Sequence, residues 1–269
     1  MADHRIQSCP LAVAPRSSEA TFEAIQNQRS MIKLNLLAFG AHPDDVEIGA
    51  GGTVIQSVKQ GLKVGIIDLT RGELGSRGSA ELRDQEAAAS SIILGVAVRE
   101  NIGLRDGFFQ HNEESMMSII KLIRKYQPET VLCPAPSDRH PDHGRASKLI
   151  RESCYYAGLQ KIETRYDGQN QMSWRPAAVY SFVQDYYHQP DFVFDITDSW
   201  EQKIQALKCF GSQFYDPTST ELRTPISGSD YFDFLHARAM QMGRPSGFML
   251  AEGFLSERAP GIQRLDALV

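Results

Sequence analysis

The order of buried segments constrains the fold of this chain more than any other feature. Short, nearly continuous apolar runs alternate with longer segments of helical character, and the alternation repeats four times within the first 160 residues. Apolar runs of this length are typical of strands that are buried on both faces of a parallel sheet. The sequence therefore predicts an α/β fold, with a mainly parallel sheet and helices on both of its faces.

The predicted elements divide the chain into a tail and one domain. Strands are predicted at 34–39, 64–69, 96–98 and 130–133, and helices at 46–60, 81–94, 115–126 and 146–157. Beyond these, strands at 177–184 and 192–196 and helices at 200–210 and 231–242 are predicted to complete the same domain. Because Met31 directly precedes the first strand, we expect a flexible N-terminal extension over residues 1–30 and one domain over residues 31–269.

Composition excludes several classes of function. The net charge is −5, so the chain lacks the basic surface that nucleic-acid binding requires. No apolar run reaches the roughly 18 residues that span a membrane, and the N-terminus has no long apolar core of a signal peptide. The four cysteines form no C-x-x-C pair, and three of them lie in apolar stretches. We therefore expect buried, reduced thiols and a cytoplasmic location.

A first polar cluster, HPDD, follows the first predicted strand. In parallel sheets of this kind, ligands bind outside the carboxyl ends of the strands. His42 and Asp45 are three residues apart at the turn into a helix, and imidazole nitrogen with carboxylate oxygen suits zinc. Asp44 lies between them, and a carboxylate that is not a ligand is a natural general base. The alternative is that Asp44 and Asp45 only cap the helix.

A second cluster, DRHPDH, follows the fourth predicted strand. Catalytic zinc takes three protein ligands and keeps one open position, which His42, Asp45 and one histidine of this cluster would supply. Spacing alone accepts either His140 or His143, and the other histidine would stabilise the oxyanion and protonate the leaving amine. Asp142 is a candidate to orient an imidazole by a hydrogen bond. The alternative is a solvated, charged turn, although two such clusters at neighbouring strand ends disfavour it.

Together, these motifs resemble the LmbE-like (PIG-L type) zinc N-deacetylases of glycoconjugates. The stretch LTRGELGSRGSAELRDQEA is similar to a loop and the second helix of that family. GLRDGFF and LCPAPSDRHPDHGRA resemble more closely its bacillithiol-biosynthesis deacetylase branch, as do QFYDP, TPIS and EGF in the C-terminal third. The resemblance covers residues 33–268, and it implies a Rossmann-like sheet with the active site at the strand carboxyl ends.

The resemblance also implies a role for individual residues. It implies a single Zn²⁺ held by His42, Asp45 and His143, although a site of this kind also accepts Fe²⁺, Co²⁺ or Mn²⁺. The remaining implied roles are general base for Asp44, oxyanion stabilisation and amine protonation for His140, substrate contact for Arg83 and Asp106, and help in holding the oxyanion for Tyr231. One departure concerns Glu47, because many members of the family have an acidic residue one position earlier, where this chain has Val46.

The substrate that the branch implies is N-acetylglucosaminyl-malate, which loses acetate to give the free amine. Arginine is the side chain best shaped to bind the two malate carboxylates, and Arg83 is the arginine that we expect in the pocket. Two alternatives stay open: deacetylation or amide hydrolysis of another N-acetyl sugar or thiol conjugate, and a metal- or sugar-binding protein without catalysis. The expected partner is a small amino-sugar molecule, and the resemblance allows a homo-oligomer.

Overall fold

The computed structural model describes residues 32–214 and 219–265 of the chain. Within these ranges the residues from Lys33 onward form one compact unit. None of the helices in these ranges is long and apolar enough to cross a lipid bilayer. The predicted extension over residues 1–30 lies outside the described residues.

Nine strands and six α-helices lie in the described part of the chain. The strands are β1 Leu36–Gly40, β2 Val64–Asp68, β3 Val98–Asn101, β4 Thr130–Pro134, β5 Arg165–Tyr166, β6 Gln169–Asn170, β7 Ala178–Phe182, β8 Phe192–Asp195 and β9 Ala251–Ser256. The helices are α1 Asp45–Lys59, α2 Ala80–Leu94, α3 Glu113–Tyr126, α4 Pro141–Ala157, α5 Trp200–Lys208 and α6 Tyr231–Gly243.

Seven of the strands form one sheet in the order β3-β2-β1-β4-β7-β9-β8. The pairs from β3 through β7 are parallel, whereas β9 runs antiparallel to both β7 and β8. The prediction of a mainly parallel sheet is therefore confirmed. Strand order changes direction between β1 and β4, and ligand crevices in open α/β sheets form at such a change.

Alternate residues of the central strands face two separate apolar layers. Leu37 and Phe39 of β1 belong to a core that includes side chains of α3 and α4. Leu36 and Ala38 belong to a core on the opposite face, which includes side chains of α1. Because side chains alternate across a strand, this pattern requires helices on both faces of the sheet, as predicted.

Four helices begin earlier than predicted, and two of these carry candidate ligands. The helix predicted at 146–157 begins at Pro141, and the helix predicted at 46–60 begins at Asp45. Proline suits the first turn of a helix because the backbone N–H that it lacks has no partner there anyway. His140 caps this helix through a hydrogen bond that its side chain accepts from the backbone N–H of Asp142. Both motifs with candidate ligands therefore lie at helix N-termini.

Strand β9 was not predicted, although it connects the C-terminal segment to the first helix. Glu252 of β9 accepts hydrogen bonds from the backbone N–H groups of Gly52 and Thr53 in α1, at 2.9 and 2.8 Å. Lys203 of α5 lies 2.6 Å from the same carboxylate and donates to the carbonyl of Ile48 at 2.7 Å. Both charged side chains are buried, and their pairing holds α1 in place from its outer side.

Two glycines of α1 allow close packing of this helix. A Cβ at Gly49 would overlap the ring of Phe182 in β7, and a Cβ at Gly52 would lie 2.7 Å from Ile196. At Gly51 the nearest atom would be a side-chain carbon of Lys203 at 3.4 Å, which is ordinary contact. Close packing of this helix therefore depends on Gly49 and Gly52 but not on Gly51.

We predict that Gly49→Ala lowers the free energy of unfolding by about 1–3 kcal/mol, because the added methyl group forces Phe182 or the helix to shift. Gly51→Ala is the matched control on the same helix. It should leave stability unchanged or raise it by up to about 1 kcal/mol through higher helix propensity. Urea unfolding followed by circular dichroism measures both. Equal stability of the two variants would contradict the packing argument.

Candidate active site

The two polar clusters meet at the carboxyl ends of the paired strands β1 and β4. The rings of His42 and His140 are 4.6 Å apart between centroids, and those of His140 and His143 are 5.4 Å apart. One nitrogen of each of the three histidines lies within 4.8 Å of the others. The fold thus brings together residues about 100 positions apart in the sequence, because parallel strands end on the same side of the sheet.

Asp45 lies between His42 and His143 and turns a different carboxylate oxygen toward each of them. His42 Nδ1 lies 3.5 Å from Asp45 Oδ2, and His143 Nε2 lies 3.1 Å from Asp45 Oδ1. Ligand atoms about 2.0–2.2 Å from a tetrahedral zinc are about 3.3–3.6 Å apart, close to both values. We propose these three residues as ligands of a divalent ion.

His143 is held as a metal ligand would be, whereas His140 is not. Asp138 Oδ2 lies 2.7 Å from His143 Nδ1, on the opposite side of the ring from Asp45. Carboxylate–histidine pairs of this kind orient metal-binding imidazoles. His140 instead uses Nδ1 to accept the cap hydrogen bond from Asp142 at 3.3 Å. Burial lowers the pKa of His140, and the charges of His42 and His143 lower it further.

His42 is oriented by two carboxylates, one from the loop after β3 and one from the first turn of α4. Its Nε2 lies 3.0 Å from Asp106 Oδ1 and 3.4 Å from Asp142 Oδ2. Asp142 thus contacts the histidine of the first cluster, and it also accepts hydrogen bonds from the backbone of Gly107 and from Arg145. Together with His42, one oxygen from each of these two aspartates forms a second group close enough to hold an ion.

Asp106 lines the pocket, but both of its oxygens have protein partners. Oδ1 contacts His42, and Oδ2 accepts a hydrogen bond from the backbone N–H of Leu74 at 2.9 Å. Burial opposes ionisation of this carboxyl group, but the hydrogen bond and charge of His42 outweigh burial and lower its pKa to about 2. A substrate hydroxyl would therefore share this carboxylate with His42.

Asp44 occupies a strained backbone position at the base of the pocket. Its φ of 116° is a conformation that residues other than glycine rarely adopt. Such strain is common at functional sites, where surrounding contacts hold it. Burial raises the pKa of Asp44 to about 7, while the positive charge of Arg83 acts in the opposite direction. A carboxyl group balanced near neutral pH suits proton transfer.

Arg83 reaches the pocket through space that two glycines leave open. A Cβ at Gly72 would overlap its guanidinium group, and a Cβ at Gly75 would lie 2.6 Å from one of its nitrogens. The glycines of the RGELG loop therefore make room for this side chain, a function that we did not infer from the sequence. Arg139 also lines the pocket and forms an ion pair with Asp185.

Tyr231, which the resemblance assigns to the oxyanion, and Glu47, which departs from the family pattern, are both outside the pocket lining. Tyr231, at the start of α6, is buried and is not part of the pocket lining. Burial raises its pKa, and the negative charge of Asp44 raises it further, so the two groups interact. Glu47 is fully buried and pairs with Arg99 and Ser90. Glu47, the acidic residue that departs from the family pattern, therefore takes part in a buried ion pair.

The pocket has a volume of about 440 Å³, within the range of small-molecule sites. Its lining joins the candidate metal ligands to side chains that sequence reasoning missed. These include Gln184 after β7, Gln213, and the Thr224–Ile226 segment before α6. Asp138 belongs to the second motif, so its role could have been inferred from the sequence. No motif in the sequence marks Gln184 or Gln213.

We predict that Asp138→Asn weakens binding of divalent metal by about 10- to 100-fold, because the amide orients His143 less strongly. The matched control is Asp84→Asn, which alters an exposed partner of Arg71 and no ligand contact. Competition with a chelating dye measures affinity for Zn²⁺ in both variants. Unchanged Zn²⁺ affinity in Asp138→Asn would show that the Asp138–His143 contact does not support metal binding.

Comparison with known proteins points to one family. Residues 37–154 match the family model described as "PIG-L: GlcNAc-PI de-N-acetylase". The chain is 32% identical over 240 residues to a diacetylchitobiose deacetylase of Thermococcus kodakarensis, covering 84% of each chain. It is 28% identical to a 4-oxalmesaconate hydratase of Pseudomonas putida, covering 70% of this chain and 78% of the relative. It is 24% identical to a probable N-acetyl-α-D-glucosaminyl L-malate deacetylase of Bacillus anthracis, covering 64% and 78%.

Solved structures show the same fold. A conserved protein of Thermus thermophilus superposes with a TM-score of 0.77 at 31% identity, covering 86% of this chain and 98% of that protein. An N,N'-diacetylchitobiose deacetylase of Pyrococcus horikoshii, in complex with an inhibitor, superposes with a TM-score of 0.70 at 26% identity, covering 90% and 93%.

Proposed function

Because this chain belongs to the PIG-L (GlcNAc-PI de-N-acetylase) family, we propose that it is a metal-dependent hydrolase that removes the N-acetyl group from an N-acetylglucosaminide. The observation that carries the proposal is that Asp45 contacts both His42 and His143 in one pocket, with the carboxyl group of Asp44 in the same pocket lining. A deacetylase of Thermococcus kodakarensis that shares most of its length with this chain supports the same reaction class.

The residues of this pocket divide the steps of amide hydrolysis between them. A divalent ion, most simply Zn²⁺, supplies Lewis acidity when bound by His42, Asp45 and His143. Asp44 takes a proton from the attacking water as the new C–O bond forms. His140 stabilises the negative charge on the acetyl oxygen. His140 donates a proton to the nitrogen as the C–N bond breaks, and the proton held by Asp44 replaces it, so that the products are a free amine and acetate.

Two substrates have separate support. The malate conjugate of N-acetylglucosamine is favoured by the pocket arginines Arg83 and Arg139, since guanidinium groups bind carboxylates in two-point contacts. Diacetylchitobiose is favoured by the relative at 32% identity, and it carries no charge for these arginines to bind. We propose the malate conjugate first because Arg83 and Arg139 place two guanidinium groups in the pocket lining, although Arg139 also pairs with Asp185.

The state of the cysteines supports a proposal for the cellular compartment. Cys133 and Cys154 are buried free thiols, and reduced thiols are typical of proteins of the cytoplasm. We therefore propose a cytoplasmic enzyme that acts on a small amino-sugar molecule.

We predict that zinc-loaded protein releases primary amine from the malate conjugate with higher kcat/KM than from diacetylchitobiose or free N-acetylglucosamine. Asp44→Asn should lower kcat by about 10²–10⁴-fold, because the general base is lost. Its zinc content should equal that of the wild type, because Asp44 is not a ligand. A fluorogenic amine reagent follows the reaction, and chelator-treated protein is the control.

Three other results have distinct meanings. If kcat/KM is higher for diacetylchitobiose, diacetylchitobiose is the preferred substrate and the proposal of the malate conjugate is wrong. Full activity in Asp44→Asn would contradict its role as base. No amine from any of these substrates would contradict deacetylation, and hydration of an unsaturated dicarboxylate would then place the chain with its hydratase relative.

A further inference from the structure

The carboxylate of Asp45 is held by a side chain from the opposite half of the sheet. Gln184, two residues beyond the end of β7, donates a hydrogen bond from Nε2 to Asp45 Oδ1 at 2.8 Å. The other oxygen of the same carboxylate accepts a hydrogen bond from the backbone N–H of His42 at 2.9 Å. One protein donor therefore fixes each oxygen of the candidate ligand.

The orientation of the Gln184 amide follows from its partner. An ionised carboxylate only accepts hydrogen bonds, so the nitrogen of the amide must face Asp45. The carbonyl oxygen Oε1 then points away, and it has no protein donor although Gln184 is only 6% exposed. Leaving a buried acceptor without a donor is destabilising, so a partner for Oε1 is expected.

A second unpartnered group is the guanidinium nitrogen Nη1 of Arg238. Arg238 of α6 donates through one terminal nitrogen to the carbonyl of Asp185, while its Nη1 is buried without an acceptor. Gln184 and Arg238 both line a cavity of about 20 Å³. A volume of this size holds one water molecule, and a water placed between Arg238 Nη1 and Gln184 Oε1 would give each atom the partner that it lacks.

We infer that Gln184 is a positioning residue for the metal centre, which orients the Asp45 carboxylate and is itself held by Arg238 through one bound water. An amide suits this place because it donates a hydrogen bond without adding positive charge beside a cation. A lysine or arginine here would repel the ion, and an apolar residue would leave Asp45 free to rotate. The inference rests on the proposed metal centre and is independent of the substrate.

The test compares two buried glutamines of the same pocket. Gln184→Met keeps an unbranched side chain of similar size but removes the donor. Gln213→Met is the matched control, since Gln213 Nε2 donates to Arg77 and Ser212 and to no candidate ligand. Zn²⁺ affinity is measured by chelator competition, and the visible absorption spectrum of Co²⁺-loaded protein reports the geometry around the ion.

We expect Gln184→Met to weaken Zn²⁺ affinity by about 10- to 100-fold and to change the Co²⁺ spectrum. Gln213→Met should bind both ions as the wild type does. Arg238→Met should weaken affinity in the same direction but less than Gln184→Met. If Gln184→Met does not fold, Gln184→Asn replaces it, because the shortened side chain withdraws the same amide from Asp45, and the same loss is expected.

Wild-type affinity and spectrum in the Gln184 variant would overturn the positioning role. An equal loss in Gln213→Met would do the same, because the effect would then be general to the pocket. Wild-type affinity in Arg238→Met would overturn the water bridge. These readouts need no substrate, so a failure of the proposed deacetylation is distinguishable from a failure of this inference.

Discussion

The burial of several acidic groups beside two histidines is the constraint on which the rest of the site depends. Four aspartates lie buried at the carboxyl edge of the sheet, namely Asp44, Asp45, Asp106 and Asp142. An unpaired buried charge costs several kcal/mol, so such a cluster persists only when each charge is matched. Asp106 and Asp142 contact His42, and Asp45 contacts His42 and His143, but an imidazole that binds a metal is neutral and leaves these charges unbalanced. A divalent cation at the centre would complete this balance, which is why the cluster fits a metal site better than a helix cap.

Each proposed ligand is also fixed by a polar partner, which comes from a distant part of the chain for His42 and Asp45 and from the same motif for His143. His42 contacts carboxylates of the loop after β3 and of helix α4, His143 contacts Asp138, and Asp45 contacts Gln184. The helix that carries Asp45 is in turn held by close glycine packing and by the buried Lys203–Glu252 pair. Ligands locked from several directions bind a metal without reorganisation, which favours both affinity and catalysis.

The sequence predicted the parallel sheet and both ligand clusters because these depend on local patterns. Apolar runs mark buried strands, and HPDD and HPDH place donors directly after two of them. Contacts made across the sheet carried no local signal. Gln184 lies 139 positions after Asp45, and β9 pairs with strands that lie far earlier in the chain. The helix starts were misplaced for a physical reason as well, since the polar motif itself forms the first turn of α4 and lacks the apolar periodicity used to recognise helices.

The central claim is that one divalent ion binds His42, Asp45 and His143, with Asp44 and His140 left free to act on the substrate. Anomalous X-ray scattering at the zinc absorption edge, from crystals of zinc-loaded protein, tests it most directly. The account predicts a single peak at about 2.0–2.2 Å from one atom of each of the three ligands. A peak coordinated by His140 in place of His143, or one held by His42, Asp106 and Asp142, would contradict it.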